Sequence, residues 1–150
     1  MIRKSILVLI SSLCLIACHN RTMYNDFQPV PMTGWSEDSI LRFDVPISDT
    51  THTYDVLLHI RHTDAYPYQN MWLFIGEKAV RYDTIEFYLA NDRGQWLGNG
   101  QSVIEMPVLY RENIRFTDSL YSLTIQHGMR EQLLQGVSDI GVEIIRNQPK

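Results

Sequence analysis

Cysteine is scarce in this 150-residue chain, and both cysteines, Cys14 and Cys18, lie within its first twenty residues. If a leader ending at Ala17 is removed, Cys18 alone remains and no intramolecular disulfide can form. Residues 18–150 are enough for one ordinary domain whose core needs no disulfide. We therefore expect the stability of the domain to come from packing alone.

A hydrophobic run long enough to cross a membrane is also lacking. Arg3 and Lys4 precede an uncharged run over residues 5–17, which is shorter than the roughly 20 residues that a spanning helix needs. Its length is that of the apolar region of a secretory signal peptide. A buried N-terminal helix is the alternative, but the run has no polar face that such a helix would turn to water. Residues 1–17 are therefore predicted to be a signal peptide.

The end of this run carries a more specific pattern. Residues 15–18, Leu-Ile-Ala-Cys, resemble a bacterial lipobox, in which the cysteine becomes the first mature residue and is acylated. Each buried CH₂ group contributes about 0.8 kcal/mol, so two or three acyl chains anchor a protein firmly. A plain secretory leader that happens to contain cysteine is the alternative. We predict lipidation at Cys18 and membrane attachment through the lipid.

Basic runs and clusters are absent as well. The chain has 13 Lys and Arg against 17 Asp and Glu, and loss of Arg3 and Lys4 with the leader makes it more acidic still. Nucleic-acid-binding proteins neutralise phosphates with basic surfaces, so no nucleic acid partner is expected. The negative charge also argues against peripheral binding to anionic lipid.

Catalytic motifs are missing too. The chain contains no GxSxG, HExxH, Walker A or CxxC sequence. His59 and His62 have a spacing that suggests a metal pair, but on a strand residues three apart face opposite ways. The glycine-rich loop at residues 91–100 lacks the lysine and the following helix of a phosphate-binding loop. The sequence therefore predicts no enzyme, no metal site and no cofactor.

What the chain does have is a two-residue hydrophobic period. Alternating or continuous apolar segments separated by turn residues occur at residues 40–48, 54–62, 71–76, 80–90, 102–111, 113–116, 119–128 and 137–147. About eight strands at this spacing predict an all-β fold, an antiparallel β-sandwich that is jelly-roll-like. Pro46 indicates either an edge position or a bulge for the first of these strands. At most one short helix is expected, at residues 129–136.

The segment before these strands is polar and contains Pro29, Pro31 and Gly34. It predicts an extended tether over residues 18–36 that becomes ordered near its end, followed by the sandwich domain at 37–150. Within the domain, Trp72 and Phe74 are assigned to core or inter-sheet packing because they lie in a strand.

Several motifs together resemble the GldH-type gliding-motility lipoprotein family of the Bacteroidetes. They are "RHTDAYPYQNMWLFI", "DTIEFYLANDRGQWLGNG", "ENIRF" and "IQHGMREQLLQGVSDIGVEI", all downstream of the lipobox. The likeness covers residues 15–145 and carries no catalytic fingerprint. It implies a cell-envelope lipoprotein tied to gliding motility and its linked secretion machinery. Residues 19–22 also lack the acidic cluster associated with surface export of lipoproteins in this phylum. This favours the periplasmic face of the outer membrane.

The distinctive residues of these motifs lie in loops and turns, and they are the candidate partner-contact or motif residues. They are Tyr66, Pro67, Tyr68, Asn70, Trp96 and Arg130. Pro67 fixes an extended turn, and Asn70 can bridge backbone where the chain re-enters a strand. Arg61 or Arg130 is expected to pair with an acid such as Asp139 or Glu86.

Two functional hypotheses follow. The first is a non-enzymatic envelope lipoprotein that acts by contacts with other envelope proteins. The alternative is a glycan- or ligand-binding β-sandwich module, because loop and strand aromatics can form a stacking platform for sugars.

Overall fold

The computed structural model describes residues 21–78 and 81–148, and over these ranges the chain is all-β. The predicted signal peptide and lipidation site Cys18 lie outside the described residues. Within those ranges no helix is long and apolar enough to span a bilayer. The strands are β1 (Thr22–Pro29), β2 (Trp35–Ser36), β3 (Leu41–Pro46), β4 (Tyr54–His62), β5 (Asn70–Glu77), β6 (Arg81–Tyr88), β7 (Ile104–Ile114), β8 (Leu120–His127), β9 (Leu133–Leu134) and β10 (Val137–Arg146).

Eight of these strands form two four-stranded antiparallel sheets. The first sheet has the order β1-β10-β4-β7 and the second has the order β3-β8-β5-β6, while β2 and β9 pair separately. Apart from the β5–β6 hairpin, successive long strands alternate between the two sheets, in the double Greek-key order of a jelly roll. The predicted antiparallel sandwich is confirmed. Pro46 indeed ends an edge strand, β3, where its missing N–H disturbs no ladder.

The core lies between the two sheets and follows the alternation of the strands. Inward residues of β4, β5, β8 and β10 have almost no exposed surface, as expected when every second side chain faces the core. They include Val56, Leu58, Ile60, Leu73, Ile75, Leu123, Ile125, Val142 and Ile144. Trp35 is also fully buried, and its Nε1 donates to the carbonyl of Ser39 at 3.0 Å.

An ion-pair cluster ties the two sheets together at one side. Arg111 of β7 lies 3.0 Å from Glu77 and 2.7 Å from Asp83, which belong to β5 and β6 of the other sheet. Burial alone would raise the pKa of Asp83. Hydrogen bonds from Tyr110 and Arg81, together with the Arg111 charge, instead lower it. These ion pairs therefore link β7 of the first sheet to β5 and β6 of the second.

The predicted tether differs from the structure over its described part. Thr22–Pro29 forms β1, which pairs with β10 from Thr22↔Ile145 to Pro29↔Asp139. Trp35 then enters the core as part of β2. The polar composition of residues 22–29 reflects an edge strand with one solvated face. The prolines at 29 and 31 mark the end of that strand.

The predicted short helix at residues 129–136 does not form. Leu133 and Leu134 instead make β9, which pairs with Trp35 and Ser36. Leu134 is buried while Leu133 is exposed, which is the alternation of a strand. Gly136, with a φ of 80°, then turns the chain into β10.

The sandwich has two ends, which we call proximal and distal. Strand pairing places the start of β1 beside the end of β10, the start of β4 and the end of β7 at the proximal end. The distal end carries the loops at residues 63–69, 89–103 and 128–136.

Candidate functional site: an aromatic groove on the second sheet

The outer face of the second sheet exposes large aromatic side chains. In β5, Met71, Leu73 and Ile75 are buried, whereas Trp72 is 37% exposed and Phe74 is 46% exposed. The assignment of Trp72 and Phe74 to the core was wrong. A continuous apolar run resembles a strand buried on both faces, but no described segment covers this side of β5. These two residues are the functional candidates that the sequence did not single out.

A groove of about 620 Å³ runs along this face toward the distal end. We call it the aromatic groove, and its lining residues are Tyr68, Asn70, Trp72, Phe74, Thr84, Gly128, Met129 and Arg130. A 620 Å³ volume lies within the range of small-ligand pockets. Of the six candidate residues from the sequence, Tyr68, Asn70 and Arg130 therefore meet here.

Backbone contacts fix one wall of the groove. The N–H of Gly128 donates to the carbonyl of Trp72 at 2.7 Å, and the N–H of Trp72 lies 3.3 Å from the sulfur of Met129. A Cβ at position 128 would lie only 3.0 Å from the ring of Phe74. Glycine at this position therefore lets the Phe74 ring lie across β8.

The polar groups of the groove are mostly paired with one another. The Asn70 amide donates to Glu86 at 2.5 Å, and the Tyr68 hydroxyl donates to Glu131. That hydrogen bond raises the pKa of Tyr68. Arg130, in contrast, is exposed and pairs with no carboxylate among the described residues. Glu86 was expected to pair with an arginine, but its partner in the structure is Asn70.

The other three candidates support the loops near the groove and do not line it. Tyr66 is 2% exposed and its hydroxyl donates to the carbonyl of Asn70 at 2.6 Å. Burial raises its pKa. Pro67 is exposed in the turn between Tyr66 and Tyr68. A Cβ at Gly136 would lie 2.2 Å from the nitrogen of Tyr66, so this turn requires a glycine there.

Trp96 is half-buried beside the same turn. Its Nε1 donates to Asp64 at 3.1 Å, and its ring lies edge-on to that of His62, with centroids 4.5 Å apart. His62 is fully buried and faces the interior, and burial lowers its pKa. His59, three residues earlier, faces the outside of the first sheet. Trp96 therefore holds the distal loops against the core.

A compact charged cluster covers the outer face of the first sheet. His59 lies between Glu105 at 2.7 Å and Glu143 at 3.0 Å, and Arg61 contacts Glu105 at 2.9 Å and Asp139 at 3.4 Å. Burial would raise the pKa of Glu105, but hydrogen bonds from His59 and Arg61 lower it. Of the pairings expected for Arg61 or Arg130, the one between Arg61 and Asp139 is observed.

The ring of Phe27 covers part of the charged cluster on its solvent side. The guanidinium of Arg61 stacks 3.6 Å from the centroid of the Phe27 ring, which also contacts His59 edge-on. The three carboxylates of the cluster are thus all paired, and the Phe27 ring partly shields the pairs from water. No grouping of His, Cys, Asp and Glu suited to a metal ion occurs in residues 21–78 and 81–148.

Comparison with known proteins gives consistent matches along the whole domain. Residues 22–144 match the family model described as GldH lipoprotein. The chain is 28% identical over 155 aligned residues to the "Gliding motility lipoprotein GldH" of Flavobacterium johnsoniae, covering 95% of this chain and 96% of that protein. It is 30% identical over 154 residues to a "Gliding motility lipoprotein GldH homolog" of Christiangramia forsetii, covering 93% and 94%. The likeness therefore extends over both sheets.

Proposed function

The chain belongs to the GldH lipoprotein family, and from that premise we propose that it is a gliding-motility-associated lipoprotein that holds a segment of another envelope protein in the aromatic groove. The acyl anchor is placed on Cys18, on the evidence of the lipobox. The periplasmic face of the outer membrane is the proposed location, because residues 19–22 carry no acidic cluster.

The exposure of Trp72 and Phe74 carries the proposal. Two adjacent outward aromatics on a sheet face are unfavourable in water unless something covers them, since buried apolar surface contributes about 25 cal/mol per Å². Protein interfaces typically bury such aromatic anchors at their centre. The groove therefore has the composition of a contact surface.

The charges of the groove indicate what kind of segment fits. Glu86 and Glu131 are already bound by Asn70 and Tyr68, whereas Arg130 has no carboxylate partner in the described part of the chain. The surface thus offers an apolar floor and one available cation. An extended protein segment with apolar side chains and a carboxylate is the complementary occupant, because charge-assisted pairs with arginine are strong and directional.

The charged clusters support a binding role over a catalytic one. The acids around His59 and Arg111 are engaged by these residues and lie outside the groove lining. A general acid or base needs a partly free titratable group within reach of a substrate. We propose that these clusters stabilise the sheets and that the protein acts without chemistry.

A photo-crosslinking residue in place of Thr84 tests this proposal, because Thr84 is exposed and lines the groove. In cells, we expect it to crosslink to one defined envelope protein. The same residue in place of Leu109, which is 52% exposed on the first sheet, is the matched control and should not capture that protein.

Reversing the charge of Arg130 then distinguishes specific binding in the groove from nonspecific hydrophobic adsorption. Arg130→Glu should abolish the Thr84 crosslink, whereas Arg93→Glu, at an exposed arginine outside the groove, should leave it intact. Equal crosslinking in both variants would overturn the assigned role of Arg130 and the carboxylate-bearing occupant.

Glycan binding is the second candidate, favoured by the extent of the aromatic surface. Tyr82 and Tyr88 are 74% and 61% exposed on β6, next to Trp72 and Phe74 on β5. Calorimetric titration of the purified domain with oligosaccharides separates the two candidates. Binding that is lost in Trp72→Ala would favour the glycan module over the protein-contact role.

A further inference from the structure

We infer that the proximal end of the sandwich lies against the lipid headgroups, and that the distal half of the aromatic groove faces away from the membrane. The inference rests on the proposed anchor at Cys18 and does not require a particular occupant of the groove. It identifies a second surface of the molecule, whose partner is an anionic phospholipid bilayer.

The short connection between anchor and domain is the first argument. β1 begins at Thr22, and the carbonyl of Arg21 already accepts a hydrogen bond from the N–H of Arg146 at 2.9 Å. Four Cα steps from Cys18 to Thr22 reach at most about 14 Å. A tether of this length cannot let the domain turn freely end over end.

The strand register shows which surface this short tether holds close. Thr22 pairs with Ile145, Ile145 with Asp55, and the neighbouring Tyr54 with Ile114. The loops at residues 47–53 and 115–119 therefore lie at the same end as the anchor. An eight-residue strand such as β1 spans about 27 Å. The distal loops lie about that much farther from the membrane.

The distribution of charge is an independent argument for the same orientation. The proximal end carries seven cations and seven acids. The cations are Arg21, Arg42, Lys78, Arg81, Arg111, Arg115 and Arg146, and the acids are Asp44, Asp49, Asp55, Glu77, Asp83, Glu112 and Asp118. The rest of the described chain has three cations, Arg61, Arg93 and Arg130, against the other ten of the 17 acids.

This asymmetry decides which end can approach an anionic surface. Repulsion from the membrane falls off over a Debye length of roughly 8 Å at physiological ionic strength. The acidic distal half lies beyond that distance when the proximal end faces the bilayer. Arg21 and Arg115 are exposed there and make no ion pair within the described residues, so both can contact phosphate groups.

Single-cysteine labelling tests the orientation, because acylation of Cys18 leaves no other thiol in the mature chain. Ser48→Cys at the proximal end and Thr33→Cys at the distal end replace exposed residues outside the groove. Each variant lipoprotein is labelled with a short-range fluorophore. It is then reconstituted into phosphatidylglycerol-containing vesicles that carry a headgroup quencher.

We expect several-fold stronger quenching at position 48 than at position 33, and weakening of this difference in Arg21→Glu/Arg115→Glu. Equal quenching at the two positions, or stronger quenching at 33, would overturn the inferred orientation. Loss of vesicle attachment in Cys18→Ala is the control for the anchor. Partner binding in the groove is tested separately by the Thr84 crosslink. The orientation on the membrane and the role of the groove can therefore be refuted independently.

Discussion

The two outer faces of this sandwich are both formed by antiparallel strands, but they differ in how far their own side chains cover them. On the first sheet, Phe27, Arg61 and His59 stack and pair, so side chains of the sheet itself cover this part of the face, although Leu109 of β7 stays exposed. On the second sheet, Trp72 and Phe74 stand exposed over a groove. The exposed aromatic side chains of the described strands, Trp72, Phe74, Tyr82 and Tyr88, all belong to the second sheet, and this supports a contact role for the second face.

The two faces differ in part because of β1, which places Phe27 on the first face. Deleting residues 22–29 should therefore abolish cooperative unfolding, a loss comparable to the 5–15 kcal/mol that stabilises an ordinary domain. Urea denaturation followed by circular dichroism measures this. A chain beginning at Arg21 is the control and should unfold cooperatively. Normal folding of the deletion variant would restore the tether interpretation of this segment.

Matched glycine substitutions sharpen the comparison. A Cβ at Gly141 would lie 2.4 Å from the ring of Phe27. This ring cannot easily move away, because it packs against both Arg61 and His59. Gly141→Ala should therefore reduce the free energy of unfolding by about 1–3 kcal/mol. Gly128→Ala meets the Phe74 ring at 3.0 Å, but this exposed ring can move, so we expect a change below about 1 kcal/mol. Similar losses in both variants would contradict the difference between the faces.

Acid should affect the interiors of the two sheets alike. Burial lowers the pKa of His62 in the first sheet and of His127 in the second, so folding disfavours the protonated form of both. Below a pH of about 6.5 the unfolded chain binds these protons, and stability falls as pH decreases. The loss is at most about 1.4 kcal/mol per pH unit for each histidine.

Melting temperatures between pH 7 and pH 5 check this expectation. His62→Gln and His127→Gln should each flatten the dependence on pH, whatever their effect at pH 7. An unchanged slope in both variants would mean that other groups cause the acid sensitivity.

The sequence predicted the strands well because their alternation is a local property. β4 coincides with the predicted segment 54–62, and the pattern of buried Tyr121, Leu123 and Ile125 in β8 was readable from the residues. The segments 102–111 and 113–116 were predicted as separate strands, but residues of both form the single strand β7, Ile104–Ile114, whose register against β4 is irregular near Val56.

The groove could not be predicted in the same way, because it depends on which faces are covered. The run from Met71 to Gly76 is apolar on both faces, and only the strand order reveals that one of them has no second layer. Likewise, the backbone contact between Gly128 and Trp72 joins residues far apart in sequence. Tyr68, Asn70 and Arg130 were candidates because they are distinctive residues of the motifs that resemble the family, and the fold brings all three to the groove.

The central claim is that Trp72 and Phe74 serve a partner and not the fold. The most direct measurement combines Trp72→Ser/Phe74→Ser with the photo-crosslinking residue at Thr84, and records urea stability together with crosslink yield. We predict a free energy of unfolding within about 1 kcal/mol of the parent chain and loss of the crosslink. A stable double variant that crosslinks as efficiently as its parent would contradict the account.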